Sequence, residues 1–264
     1  MAHPLRHLIF AVGRLSCRRR GACKPRALRL AGLFTFIPTV LAVSLSAQPP
    51  RPAEQSLRFT VFSAQPVAGL SFTPRPGVAS TKLVFYSTAR SPRYEYRGAM
   101  PLRFTDAASG AVFAEAVVPP EIHDALLLFA AVETAPAPAG KPANGLRYQV
   151  SVLDDSAVRH ASGGLAIINF SGLELSGTIG KTSVTLQSGL NPTMKVSRTA
   201  KILLRTTLKG RSFQSYAGDL MLKKNERALL ILFPPFYKGS LEVQSRLLVD
   251  EPPEPPAPAH SPSG

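Results

Sequence analysis

Tryptophan is absent from the 264 residues, and the only two cysteines, Cys17 and Cys23, lie near the N-terminus. Past residue 47 there is no thiol, so disulfides, thiolate metal sites and a cysteine nucleophile are excluded there. Histidine is scarce as well, with His123, His160 and His260 the only imidazoles beyond the same point. No stretch shows an apolar period of 3.6, and 25 prolines argue against long helices. Acidic residues are few, 16 against 31 lysines and arginines. A net charge of +15 suggests nucleic acid until it is divided by position.

Residues 1–47 hold eight of the 31 basic residues and none of the acids, which leaves 23 against 16, or +7, for the rest. The basic stretch precedes an uncharged apolar run, LAGLFTFIPTVLAV at residues 30–43, and then small residues up to Ala47. This is the layout of a secretory signal cleaved near Ala47. If it is not cleaved, residues 30–50 are long enough to anchor the chain in a bilayer despite Pro38. Either way the positive leader stays inside and the remainder is expected outside, periplasmic or secreted, which removes nucleic acid as a partner. Leu15-Ser16-Cys17 is no lipoprotein site, since Arg14 stands where an apolar residue is needed. Arg18-Arg19-Arg20 is followed by Gly21 rather than the apolar pair of a twin-arginine signal.

Strand signals fill the rest. Residues 200–208 alternate, with Ala200, Ile202, Leu204 and Leu208 on one face and Lys201, Arg205 and Thr207 on the other. Residues 213–222 follow, then a polar turn at 223–227 and a continuous apolar run at 228–233, closed by Pro234-Pro235. Residues 241–249 alternate again, the pattern of a sheet with one wet face. A similar order occurs earlier. KLVFYSTARSPRY (82–94) lies without a gap on KILLRTTLKGRSF (201–213), ALLL (125–128) answers ALLI (228–231), and LRYQVSVLDD (146–155) answers residues 241–250 with small shifts that set Ser151, Leu153 and Asp155 against Ser245, Leu247 and Asp250. The reading is a tandem duplication of one strand-rich unit. Leu127 and Leu230 then become central core residues, and a separate core in each copy implies two melting transitions.

Within the first copy, strands are predicted at 57–61, 70–73, 82–88, 94–96, 102–105, 111–118 and 125–131, at the spacing of an all-β sandwich. Residues 48–56 form a proline-rich lead. TAPAPAGKPANG (134–145) is an extended loop inside the first domain, because the strand after it matches the last strand of the second copy. The second copy opens with 165–170 and a hairpin at 173–186 turning about Gly180-Lys181. The resulting organisation is a signal or anchor at 1–47, domains at 57–155 and 164–250, and a proline-rich tail at 251–264 that cannot bury a core.

Chemical motifs are sparse. GTIGKT (177–182) resembles a phosphate loop, but the required first glycine is Leu175 and the context is a hairpin. His160 has Asp154, Asp155, Ser156 and Ser162 nearby, the residue types of a triad, yet a connector does not provide fixed geometry. There is no G-x-S-x-G and no H-E-x-x-H, so no catalytic residue, metal site or cofactor is assigned. Asn169-Phe170-Ser171 matches a glycosylation sequon by chance, at the end of a strand.

One cluster stands out: Arg90, Arg93, Tyr94, Tyr96 and Arg97, with a weaker echo in Lys209, Arg211, Phe213 and Tyr216. Arginines beside aromatic rings can pair anions and stack on flat faces, as an anionic polysaccharide requires. Without a ligand the same residues are a twisted hairpin with charges guarding its wet face.

The export signal, the paired LLLF and LILF strands and the phrase FSGLELSGTIGKTSVTL resemble secreted bacterial proteins with tandem immunoglobulin-like or prealbumin-like β-sandwiches. The resemblance implies an all-β fold of two antiparallel sandwiches and carries no catalytic residue. The expected function is a non-enzymatic structural or adaptor protein of the cell envelope or secretome, acting on a protein partner. The alternative is a binding module for anionic polysaccharide through the Arg/Tyr hairpin.

Overall fold

Eight strands of the first half form two facing sheets. The computed structural model describes residues 54–67, 69–132 and 145–253. The expected signal or anchor, most of the expected lead, nearly all of the expected loop at 134–145 and residues 254–264 lie outside that range. The strands are β1 (Gln55–Ser63), β2 (Leu70–Phe72), β3 (Thr81–Lys82), β4 (Tyr94–Gly98), β5 (Leu102–Asp106), β6 (Val112–Ala116), β7 (Asp124–Ala131) and β8 (Tyr148–Asp154). One sheet has the order β4-β1-β7-β8 and the other β3-β2-β5-β6. β1 runs parallel to β7, with Val61 opposite Leu127, and all other pairings are antiparallel. Alternate residues such as Leu57, Phe59 and Val61 turn between the sheets. There Phe59, Phe72, Phe104 and Phe129 meet edge to face or tilted, with centroids 5.0–6.4 Å apart. Such contacts add stabilisation beyond the area they bury.

The second half repeats the plan with β9 (Gly164–Asn169), β10 (Leu175–Ile179), β11 (Thr182–Leu186), β12 (Gly189–Lys195), β13 (Thr199–Leu208), β14 (Arg211–Met221), β15 (Arg227–Pro235) and β16 (Val243–Asp250). Its sheets are β12-β9-β15-β16 and β11-β10-β13-β14, and β9 runs parallel to β15. Every strand therefore has a counterpart eight places earlier, in the same order and sense. The core has changed composition, being built from aliphatic residues such as Leu165, Ile167, Leu204, Leu220 and Leu230. Gly177 admits β13, because a Cβ there would sit 1.9 Å from the Leu203 carbonyl oxygen.

The topology keeps part of the expected alignment and corrects the rest. Leu127 and Leu230 are both fully buried and equivalent, facing Val61 and Ile167 on the parallel side and Val152 and Leu247 on the other. Three residues on, Asp155 matches Asp250 as expected, while Ser151 matches Arg246 and Leu153 matches Leu248. The gapless match of 82–94 on 201–213 does not hold. Lys201 lies in β13, whose counterpart is β5, whereas in the earlier segment only Lys82, the end of β3, and Tyr94, the start of β4, are strand. Shared alternation of apolar and hydroxyl residues produced that match without shared position. β12 carries no strand signal in the sequence, because Pro192 and a bulge between Asn191 and Met194 break its pattern.

The halves are not independent. The sheets containing β7 and β15 pack back to back through a third apolar core of Phe62, Leu126, Leu128, Leu153, Ala166, Ile168, Leu229, Ile231 and Leu248. This explains why ALLLF and ALLILF are unbroken apolar runs, since a strand covered on both faces has no wet side to mark with polar residues. The layers stack outer, inner, inner, outer, and the described residues form one compact unit. Two separate melting transitions are accordingly replaced by the expectation of one.

Candidate functional site

Two arginines and two aspartates from distant parts of the chain meet in the interior where the halves join. Arg227, at the start of β15, is completely buried. Its Nη2 donates to Asp155 Oδ2 at 2.8 Å and Asp250 Oδ2 at 3.0 Å, its Nε to Asp250 Oδ1 at 3.2 Å, and its Nη1 to the carbonyls of Asp155 and His160, both at 2.9 Å. Arg90, from the segment between β3 and β4, adds a bond from Nη1 to Asp155 Oδ2 and a contact of 3.2 Å from Nε to Asp250 Oδ1. Burial alone would raise the Asp155 carboxyl pKa, but the neighbouring His160 ring and the charges of Arg90 and Arg227 outweigh it and hold the group below its usual value. Charges this deep are tolerated only when paired, and here the two signs balance.

His160 belongs to the same cluster. Its Nε2 is 2.9 Å from the Ala228 carbonyl and its Nδ1 3.8 Å from Asp155 Oδ1, with the ring buried. Of the acids near it in sequence, Asp155 faces Arg227, and Asp154 faces Arg159 at 3.6 Å. The ring thus braces the connector, and among the described residues no serine hydroxyl is hydrogen-bonded to either nitrogen.

The five residues of the Arg/Tyr cluster do not share one surface. Arg90 is spent on the buried cluster. Tyr94 and Tyr96 turn inward along β4 and pack on the first core, Tyr94 against Phe59 and Phe72. The Tyr94 hydroxyl accepts the Val84 N–H at 2.9 Å. Tyr96 folds over Gly98 and donates to the Ala99 carbonyl at 2.5 Å, and its burial raises the phenol pKa despite nearby Arg103. Arg93 and Arg97 are exposed, with Arg97 Nε 3.4 Å from Glu54. In the weaker echo, Lys209 and Gly210 have φ of 51° and 76° and form the two-residue turn from β13 to β14, so its spacing reflects turn chemistry.

Arg97 and Tyr96 do border an open groove of about 680 Å³ at the end where β1 and β7 begin. Its walls also carry Arg58, Arg75 and His123, balanced by Glu95, Glu121, Asp124 and Asp154. Arg58 is held by Asp124 at 2.8 Å. Among the described residues no group of three His, Cys, Asp or Glu side chains is placed to hold a metal ion. GTIGKT forms the β10–β11 hairpin, with Ile179 opposite Thr182 and Gly180 at φ 58°. The Asn169 side chain is buried and bonded to Leu173 and Ser171, which leaves its amide no opening to a glycan.

At the far end of the same strands lies a different cavity, of about 400 Å³, between Phe62, Leu128 and Phe129 of the first half and Phe170, Ile231 and Phe233 of the second. Neither it nor the ion cluster was foreseen as a unit. The one available signal was positional: Asp124 and Arg227 each stand immediately before an apolar run, and in the strand pattern that follows Asp250 is the last residue and Asp155 the first one beyond. No protein-family model matches the chain, and a search of curated proteins likewise found no match.

Proposed function

We propose that this chain is an exported, non-enzymatic structural or adaptor module of two prealbumin-like sandwiches that presents a rigid surface to a protein partner. The observation that carries this reading is the way the halves are joined. A shared apolar core and a buried, charge-balanced cluster fix one half on the other, which suits a scaffold and opposes hinge motion about the connector. The strand order supports prealbumin-like over immunoglobulin-like units. In the immunoglobulin constant-type fold the first two strands share a sheet, whereas here β1 and β2 lie in opposite sheets and β1 sits between β4 and β7. Export rests on the charge and apolar pattern of residues 1–47.

The test is affinity capture from envelope fractions with the tagged full chain at moderate salt. A reproducible partner is expected, and repeated recovery of none counts against the adaptor role.

A second reading is binding of an anionic polysaccharide at the open groove, favoured by Arg58, Arg75, Arg97 and His123 on its walls. The four acids on the same walls and the inward tyrosines weigh against it. Affinity electrophoresis in acidic glycans decides the matter: retardation of the native chain, lost on changing Arg75 and Arg97 to alanine, supports this reading, and unchanged mobility in every gel removes it.

A further inference from the structure

We infer that the cavity bordered by Phe129, Phe170 and Phe233 is a binding site for a small, neutral, apolar molecule with one uncharged hydrogen-bonding group. Its volume of about 400 Å³, continued by a smaller one of about 140 Å³ that shares Leu128, Ser151 and Phe170, falls in the range of small-ligand pockets. It lies where the two inner sheets part at the ends of β7 and β15. Phe170 and Phe233, with ring centroids 6.4 Å apart, stand on the side of the second half.

The chemistry of the ligand follows from what the walls lack. No described residue lining either cavity is titratable, in contrast to the groove at the other end of β7, so a charged ligand would be desolvated without a counter-charge. The polar side chains present are those of Ser63, Gln149 and Ser151. Ser63 Oγ already accepts the Gln65 N–H at 3.2 Å, while Gln149 and Ser151 are exposed on β8 and face the opening. An amide and a hydroxyl at the mouth of an apolar cavity suit a ligand hydroxyl or carbonyl, with the ring or short chain of the molecule inside.

Two probes of nearly the same shape test the site on the full chain: the neutral fluorophore N-phenyl-1-naphthylamine and its anionic analogue 8-anilinonaphthalene-1-sulfonate. The neutral probe is expected to saturate at one site per chain and to bind roughly tenfold or more tightly than the sulfonate. Ser151→Phe, at a strand position that accepts an aromatic ring, should abolish saturable binding while the circular dichroism spectrum is retained. Should that variant fail to fold, Ala130→Phe, at an exposed position on the same rim, takes its place. Absence of saturable binding, equal affinity for both probes, or unchanged binding in the folded filled variant each overturns the assignment. So does a concentration-dependent loss of binding accompanied by dimerisation, since a second copy would then be what covers the cavity.

Discussion

Asp155 and Asp250 occupy the same register in the two halves, three residues beyond Val152 and Leu247, and their carboxylates meet on one guanidinium, that of Arg227, at 2.8 and 3.0 Å. Equivalent residues of the repeated strand plan are thus two sides of one contact. The exchange needed one further asymmetry. Where the second half has Arg227 the first has Asp124, which turns instead to Arg58.

Removing the shared cation should be costly. Arg227→Ala leaves the buried Asp155 and the partly buried Asp250 with Arg90 as their one guanidinium, and a loss of about 3–5 kcal/mol is expected. Urea unfolding measures it, with Arg93→Ala as the exposed comparison, expected within about 0.5 kcal/mol of the native chain. A small effect at Arg227 would show that the cluster relaxes or hydrates.

Acid should weaken the same contact. The folded Asp155 pKa lies below its ordinary value of 3.8, so its stabilisation is complete above that value and is lost as pH falls from there through the lower folded value. Unfolding free energy followed from pH 6 to pH 2 should fall more steeply for the native chain than for Asp155→Asn. Parallel curves would contradict this.

Heating should produce one transition. Leu127→Ala and Leu230→Ala each empty a different core, at about 2–5 kcal/mol apiece. Because Leu126, Leu128, Leu229 and Ile231 tie those cores together, either change should shift the whole calorimetric peak. A peak that splits in Leu127→Ala would mean that the shared core does not couple the halves.

Gly177→Ala should be disruptive although alanine is small. The added methyl meets the Leu203 carbonyl oxygen at 1.9 Å, and that backbone can yield only by separating β10 from β13. A loss of about 1–3 kcal/mol or more is expected in chemical denaturation. A near-neutral result would show that the sheet can shift as a unit.

Much of the fold was legible because strands display their surroundings. Alternation in residues 200–208 and 241–249 marked sheets with one wet face, and the unbroken runs ALLLF and ALLILF marked strands with none. What the second pattern implied about packing between the halves required knowing what covers the outer face, and each half turned out to cover the other. The Arg/Tyr cluster was misleading for a local reason. In a strand, neighbours in sequence point to opposite sides, so Tyr94 and Tyr96 went to the core while Arg93 and Arg97 went to solvent. Arg90, Asp155 and His160 each drew notice for separate reasons. Their convergence on Arg227 and Asp250 depends on register and stacking, which no local pattern carries.

The parallel pairing of β1 with β7, and of β9 with β15, has a consequence for how the chain reaches this state. Arg58 and Asp124, partners at the start of the first pair, are separated by 66 residues, and no shorter contact can replace that ladder. Closing so long a loop precedes most of its reward, which places the protein among slow folders, in the range of about milliseconds to seconds. During that interval the apolar runs of β7 and β15 are uncovered on both faces. A chain released into a crowded compartment would be most exposed to aggregation at those two segments, before either half has its seventh strand in place.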